Sequence, residues 1–87
     1  MSTFIKKLLI DALKPREIPI TELSKAICAI KGVEEVNIVV TEVDARTETV
    51  KITVMGSDID FEEVSRVMAE NSAAIRSVDE VTVSKVK

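Results

Sequence analysis

Histidine, tryptophan, tyrosine and glutamine are all missing from the 87 residues of this chain. Without histidine, the chain alone cannot supply imidazole acid–base catalysis, a Ser-His or Cys-His nucleophile pair, or a histidine-ligated zinc site. Only Phe4 and Phe61 are aromatic, so the stacking platforms of single-stranded nucleic-acid binders are also missing. A net charge of -3 disfavours a phosphate backbone as partner. We therefore expect no nucleic-acid partner.

Long apolar runs and paired cysteines are missing as well. No stretch is long and apolar enough to cross a bilayer, and the first residues carry lysine and aspartate where a signal peptide is apolar. Cys28, the lone cysteine, cannot form an internal disulfide or a paired-cysteine metal site, and we expect it to be a small, partly buried packing residue. These features predict a cytoplasmic protein without a membrane partner. Few amides and many glutamates and lysines are typical of thermophilic proteins.

The centre of the chain has the pattern of a β-hairpin. Between Gly32 and Gly56, branched aliphatic residues alternate with polar ones, first over residues 33–44 and again over residues 47–56. This is the period of half-buried strands. Because an isolated hairpin is at best marginally stable, the flanking segments must supply more strands and covering helices.

The flanking segments have the patterns of two strands and two amphipathic helices. Strands are predicted near residues 3–14 and 77–86 from their runs of leucine, isoleucine and valine. Helices near residues 19–31 and 60–72 carry apolar residues at intervals of three and four, and Gly32 closes the first. Asp60, followed three positions later by Glu63, is a capping-box-like start for the second helix.

The order of these elements predicts a single α+β domain over residues 1–87. Two right-handed crossovers would interleave the strands into a four-stranded antiparallel sheet of order 4-1-3-2, with both helices on one face. The other face of this two-layer βαββαβ sandwich would have no helix over it.

Five segments resemble the short archaeal proteins grouped as domain-of-unknown-function family 211, and the similarity extends over nearly the whole chain. They are IDALKP at residues 10–15, GVEEVNI at 32–38, EVDARTETVKITV at 42–54, GSDIDFEEV at 56–64 and IRSVDEV at 75–81. The resemblance implies a ferredoxin-like fold and assembly into homo-oligomers, and it carries no activity or catalytic residue. The chain departs from the family at Asn71-Ser72-Ala73, where the family often has glycine.

The face without helices leads to the prediction that the protein is a homo-oligomer. Alternation along the strands turns five apolar side chains outward on this face: Leu9, Leu13, Val39, Val43 and Met55. Contiguous exposed apolar surface of this kind usually marks a partner interface. The edge segments 36–43 and 78–86 lack proline and offer unpaired backbone groups as a second route to self-association.

Polar residues are expected among these apolar ones. Asp11 is predicted on a central strand, beside Lys51 and Thr53 of the neighbouring strand. Either Asp11 and Lys51 form a structural ion pair, which we favour, or the three residues bind a small ligand.

Three acidic residues, Glu42, Asp44 and Glu48, lie near the tip of the hairpin. Carboxylate oxygens are the ligands of hard cations such as Ca²⁺ and Mg²⁺, so these residues are candidate ligands for a divalent cation. The segment lacks the spaced acidic residues and glycine of a dedicated calcium loop. The sequence therefore allows a divalent cation and requires no cofactor.

Two functions remain open. The first is a homo-oligomeric module that binds a small ligand or a cation and regulates without catalysing a reaction. The alternative is a small enzyme in which a carboxylate and a lysine, such as Asp11 and Lys51, act at a subunit interface. The two differ in whether assembly buries these groups dry or leaves a water-filled pocket around them.

Overall fold

A computed structural model describes residues 2–87. The strands are β1 (Phe4–Pro15), β2 (Val33–Val43), β3 (Thr47–Gly56) and β4 (Ala74–Ser84), and the helices are α1 (Ile20–Cys28) and α2 (Phe61–Glu70). The strands form one antiparallel sheet in the order β2-β3-β1-β4. The predicted α+β architecture, a ferredoxin-like βαββαβ sandwich, is confirmed.

Both helices pack on the same face of the sheet. The buried core comes from alternate positions of β1 and β3 and from one stripe of each helix. Its main members are Leu8, Ile10, Ala12, Val50, Ile52, Val54, Leu23, Ile27, Val64, Val67 and Met68. The opposite side of the sheet, which we call the open face, has no helix over it in residues 2–87.

The two helices are short. α1 has 9 residues and α2 has 10, and within residues 2–87 no helix has the length and apolarity needed to cross a membrane. α1 stops at Cys28, before the predicted end near residue 31, because the N–H of Ile30 bonds the carbonyl of Ile27 and tightens the last turn. Gly32, with a φ of 90°, then turns the chain into β2.

Asp60 caps the start of α2, as the sequence predicts. Its carboxylate accepts hydrogen bonds from the backbone N–H groups of Glu62 and Glu63. The second half of a capping box is missing, because the Glu63 carboxylate pairs with Arg66 at 3.0 Å.

The end of α2 is a Schellman motif with Ser72 in the left-handed region, at a φ of 60°. The N–H of Ser72 bonds the carbonyl of Ala69, and the N–H of Ala73 bonds that of Met68. This reversal feeds the chain directly into β4, which begins at Ala74 and not near the predicted residue 77. Position 72 therefore needs the backbone conformation that glycine adopts most easily.

Replacing Ser72 with glycine is expected to raise the free energy of unfolding by about 0.5–1 kcal/mol, because the left-handed conformation strains a residue that has a Cβ. Urea denaturation of the two proteins measures the difference. Ser65→Gly, inside α2, is the control and is expected to lower stability by roughly 0.5 kcal/mol. A Ser72→Gly variant that is no more stable than the wild type would contradict this assignment.

Both edge strands of the sheet are irregular. β2 loses register with β3 between Val33 and Glu35 and again between Val40 and Glu42. The pairing of β4 with β1 shifts at three places, which leave Lys6 of β1 and Arg76 and Asp79 of β4 without a register partner. Bulges twist an edge and interrupt its row of hydrogen-bonding groups, which hinders pairing with another chain. This geometry disfavours the edge route to self-association.

Candidate functional site

The register of the sheet defines the open face, because residues directly opposite in antiparallel strands share a face. Four rows cross it in the order β2, β3, β1, β4. They are Glu35, Met55, Lys7 and Thr82; Asn37, Thr53, Leu9 and Glu80; Val39, Lys51, Asp11 and Ser77; and Glu42, Thr49, Leu13 and Ala74. Apolar and charged side chains are therefore interspersed across the open face.

Four of the five apolar residues predicted on this face lie there: Leu9, Leu13, Val39 and Met55. Val39 is 51% exposed and Met55 39%. The prediction for Val43 is wrong. The bulge at Thr41 shifts the alternation by one residue, so Val43 lies opposite Glu48 on the helix-covered side.

A charged group occupies the third row, at the centre of the open face. The Nζ atom of Lys51 lies 3.6 Å from Asp11 Oδ2 and 3.2 Å from Asp79 Oδ2. The hydroxyl of Ser77 donates a 2.8 Å hydrogen bond to Asp79 Oδ1. We call these four residues the Lys51 cluster. The expected Asp11–Lys51 ion pair is present, and Thr53 follows in the adjacent row.

Asp79 is a member of the cluster that sequence reasoning missed. Strict alternation along β4 puts residue 79 on the opposite side from Glu80, so no period-2 pattern assigns it to the open face. The shift between the Leu9–Glu80 and Ile10–Val78 pairs leaves Asp79 in a bulge, from which its carboxylate reaches Lys51.

The charges of the cluster stabilise one another. The hydrogen bond to Asp79 raises the pKa of Lys51, and the nearby Asp11 carboxylate adds to this effect. The Ser77 hydroxyl, followed by Lys51, lowers the pKa of Asp79. A lysine that acts as a base or nucleophile needs a lowered pKa, whereas Lys51 is held as the ammonium. The cluster therefore gives no support to the enzyme hypothesis.

Asp11 has an oxygen without a hydrogen-bond donor. Its Oδ1 atom is buried, and no donor within residues 2–87 reaches it. Ser77 lies directly opposite Asp11 but directs its hydroxyl to Asp79. An unsatisfied buried acceptor costs roughly 1–3 kcal/mol, and each one in a native fold calls for an explanation. Oδ1 has no exposed surface, so a donor from outside the folded chain reaches it only if the Asp11 carboxylate turns.

The three candidate cation ligands are not brought together. Glu42 lies on the open face opposite Thr49, while Glu48 lies on the helix-covered side with Lys14. The backbone N–H of Asp44 bonds the Thr47 carbonyl in the hairpin turn. Across residues 2–87, no set of three or more acidic or cysteine side chains is placed to hold a metal ion. The bulge at Thr41 causes this separation.

Lys14 is a buried charged residue that sequence reasoning missed. Its side chain is 1% exposed, and its Nζ atom lies 2.6 Å from Glu48 Oε1 and 2.8 Å from the Pro15 carbonyl. The burial of Lys14 was predictable from the sequence, because Lys14 continues the alternate positions of β1 that contain the buried residues Leu8, Ile10 and Ala12. The pair ties the end of β1 to the hairpin, and its ammonium is closed to solvent while its carboxylate is 19% exposed.

Nearly the whole chain is similar to known proteins. Residues 6–86 match the family described as Uncharacterized ArCR, domain-of-unknown-function family 211. The chain belongs to this family. Uncharacterized protein MJ0319 of Methanocaldococcus jannaschii is 36% identical over 81 residues, which cover 93% of this chain and 84% of the relative. The resemblance of the five segments is confirmed, and neither description names an activity.

Outside the open face, this member of family 211 has a wide cleft of about 970 Å³ beside the start of α2. Its apolar floor includes Ile5, Ile30, Ile59 and Phe61. Three of its acidic side chains already have partners: Asp60 caps α2, Glu63 binds Arg66, and Asp58 lies 3.7 Å from Lys87. Sequence reasoning missed the cleft because its walls come from segments far apart in the chain.

Cys28 is exposed, contrary to the expectation of a partly buried residue. It follows Ile27, which is fully buried, and one step along a helix turns the next side chain by about 100°. Its Sγ atom lies 3.8 Å from the Glu34 carbonyl.

The lowered pKa of Asp79 has a measurable consequence. A carboxyl whose pKa is lower in the folded state stabilises the fold above its ordinary value of 3.8, and this contribution is lost as the pH falls through the folded value. We expect carboxyl NMR titration to place Asp79 below 3.8 and to show a rise after Ser77→Ala. Thr82→Ala, on the same strand, is the control. An unchanged Asp79 titration in Ser77→Ala would contradict the assigned hydrogen bond.

Proposed function

We propose that the protein is a homo-oligomeric module that binds a small ligand or a cation between subunits and carries out no catalysis. The open face supports this proposal, because helices cover only one side of the sheet. On the other side Val39 and Met55 are exposed, and they share the face with Leu9, Leu13 and several charged residues. A mixture of apolar and charged side chains is the ordinary composition of a protein interface.

Within the open face, we place the small ligand at the Lys51 cluster and Thr53. Asp11 offers a carboxylate whose side chain is 21% exposed, Lys51 an ammonium whose side chain is 41% exposed, and Thr53 a hydroxyl. The complementary molecule carries an amine and a carboxylate. The ammonium of Lys51 repels any cation, but the carboxylate of such a molecule pairs with it, which Ca²⁺ and Mg²⁺ alone cannot do.

A cation site at the hairpin requires more than one copy. Glu42, Asp44 and Glu48 of one chain do not form a group, and Glu48 is already paired with Lys14. Carboxylates from neighbouring subunits would have to complete such a site.

A cytoplasmic location and a thermophilic source are part of the same proposal. Cys28 is free and exposed, which suits a reducing compartment. The chain contains no glutamine and is rich in glutamate and lysine, in keeping with a thermophilic composition.

A thermal-shift screen tests the binding function. The probes are glycine, putrescine, magnesium chloride and calcium chloride, each titrated against the intact protein. A ligand that binds only the folded state at a hundred times its Kd adds about 2.7 kcal/mol of stability, so at least one probe is expected to raise the Tm. The shift should disappear in Asp11→Asn and persist in Glu62→Gln, which changes an exposed acid on α2. A Tm that no probe raises, or a shift that survives Asp11→Asn, would contradict binding at the cluster.

A further inference from the structure

We propose that the cleft beside the start of α2 binds a small aliphatic primary amine, and that the ammonium of Lys87 competes for the same position. The cleft lies outside the open face and shares no residue with the Lys51 cluster. It is a second binding site, with an apolar floor for the body of the ligand and a carboxylate for its charge.

The walls of the cleft are fixed by backbone hydrogen bonds. The carbonyl of Gly32 accepts the N–H groups of Ser57 and Asp58, and the N–H of Ile59 bonds the carbonyl of Ile5. The cleft measures about 970 Å³, within the range of roughly 300–1,000 Å³ that is usual for ligand pockets. Because backbone pairing already holds these segments together, a ligand does not have to order them when it binds.

The floor of the cleft suits an aliphatic chain. Ile5, Ile30 and Phe61 are partly buried there, and Ile59 is 3% exposed. A fully buried methylene strengthens binding by roughly four-fold, so in this open cleft each methylene of the ligand is expected to add about two- to four-fold.

The rim of the cleft favours a cation, because four carboxylates face two ammonium groups across it. These residues are Asp58, Asp60, Glu62, Glu63, Lys31 and Lys87. Asp60 caps α2, and Glu63 pairs with Arg66. Asp58 is 47% exposed, and within residues 2–87 it forms one ion pair, with Lys87. Asp58 and Glu62 are therefore the carboxylates that a ligand can use.

The position of Lys87 selects Asp58 between these two. Its Nζ atom lies 3.7 Å from Asp58 Oδ2 and 5.7 Å from the centroid of the Phe4 ring. A carboxylate and an aromatic face both attract an ammonium, so this is the point where a cation is stabilised. The pair is longer than a hydrogen bond, and the Lys87 side chain is 63% exposed. Exposed pairs of this kind are weak, so the ammonium of a ligand can displace Lys87.

NMR titration of the isotope-labelled protein with n-hexylamine hydrochloride tests the site. We expect the amide signals of residues around the cleft, such as Ile30, Gly32, Ser57 and Phe61, to shift with increasing ligand. n-Butylamine has two methylenes fewer and is expected to bind about 4- to 16-fold more weakly. An absence of shifts at the cleft, or equal affinity for the two amines, would overturn the proposal.

Two isosteric variants locate the ammonium of the ligand. Asp58→Asn is expected to raise the Kd of n-hexylamine by about three-fold, because it removes the counter-ion. Glu62→Gln removes the same charge elsewhere on the rim and is expected to raise the Kd by less than about two-fold. Both side chains are exposed, so neither substitution should disturb the fold. Equal losses in the two variants would overturn the placement at Asp58.

A Lys87→Met variant tests the competition. Methionine retains an apolar side chain and removes the ammonium, so the Kd of n-hexylamine is expected to fall by about two- to five-fold. Lys85→Met makes the same change of charge two residues earlier and should leave the Kd nearly unchanged. A Kd that does not fall in Lys87→Met, or that falls equally in both variants, would overturn the competition.

A lysine side chain of a partner protein carries the same ammonium on a four-carbon chain. Nα-acetyl-lysine N-methylamide represents that source and is expected to bind no more tightly than n-butylamine. If it bound more tightly than n-hexylamine, the cleft would belong to a protein partner and not to a small amine. Asp11→Asn, which tests binding at the Lys51 cluster, should leave the affinity for n-hexylamine unchanged, so the two sites can fail independently.

Discussion

Replacing Glu48 with alanine is expected to lower the free energy of unfolding by about 3–5 kcal/mol, because it leaves the ammonium of Lys14 buried without its counter-ion. The Lys14 side chain is 1% exposed and would keep only the Pro15 carbonyl as partner. Lys14→Ala is expected to cost less, about 3 kcal/mol, since the carboxylate it leaves is 19% exposed and can reach water. Urea denaturation measures both.

The double variant Lys14→Met with Glu48→Leu is the control for the loss of charge. A buried ion pair replaced by apolar residues of similar size is often neutral or stabilising, so the double variant should be more stable than either single alanine variant. A Glu48→Ala variant within about 0.5 kcal/mol of the wild type would show that the pair does not stabilise the fold.

Alanine at Gly32 or Gly56 is expected to destabilise the protein by about 3 kcal/mol or more. Gly32 has a φ of 90°, and a Cβ there would overlap the carbonyl oxygen of Asp58. A Cβ on Gly56 would overlap the carbonyl oxygen of Gly32. Because the Gly32 carbonyl also accepts the N–H groups of Ser57 and Asp58, neither clash can be relieved without breaking this crossing of two backbones.

Thermal unfolding by circular dichroism is a suitable measurement for both glycine variants. For a domain of this size, 1 kcal/mol corresponds to roughly 4–8 °C in Tm, so the expected loss exceeds about 12 °C. Ser57→Ala, in the same loop, shows whether any substitution there lowers stability. Its free energy of unfolding should stay within about 0.5 kcal/mol of the wild type. Stable Gly32→Ala and Gly56→Ala variants would mean that the two segments do not approach as closely as described.

The fold follows from the sequence because alternation and helical periodicity are local signals. The parity of residues 8–12 and 50–54 places the core, and the same parity puts Asp11 beside Lys51. The start of α2 was predictable for the same reason, since Asp60 caps a helix whose apolar residues recur at helical spacing.

The wrong predictions about the open face come from bulges. A bulge shifts by one residue the alternation of side chains between the two faces of the sheet, and the sequence does not show where it occurs. The bulge at Thr41 takes Val43 off the open face and separates Glu42 from Glu48. The bulge at Asp79 brings a second carboxylate to Lys51 that strict alternation assigns to the other side. The Lys51 cluster was therefore only half predictable, because half of it is set by the pairing of β4 with β1.

Light scattering coupled to size exclusion, on the wild-type protein at micromolar concentration, tests the homo-oligomer most directly. We expect a mass of at least twice 9.6 kDa, and we expect Val39→Lys, on the open face, to reduce that mass. Val83→Lys is the matched control, because Val83 is equally exposed, at 51%, but lies opposite Ile5 on the helix-facing side. It should leave the mass unchanged. A wild-type mass close to 9.6 kDa would contradict the assembly on which the proposed function depends.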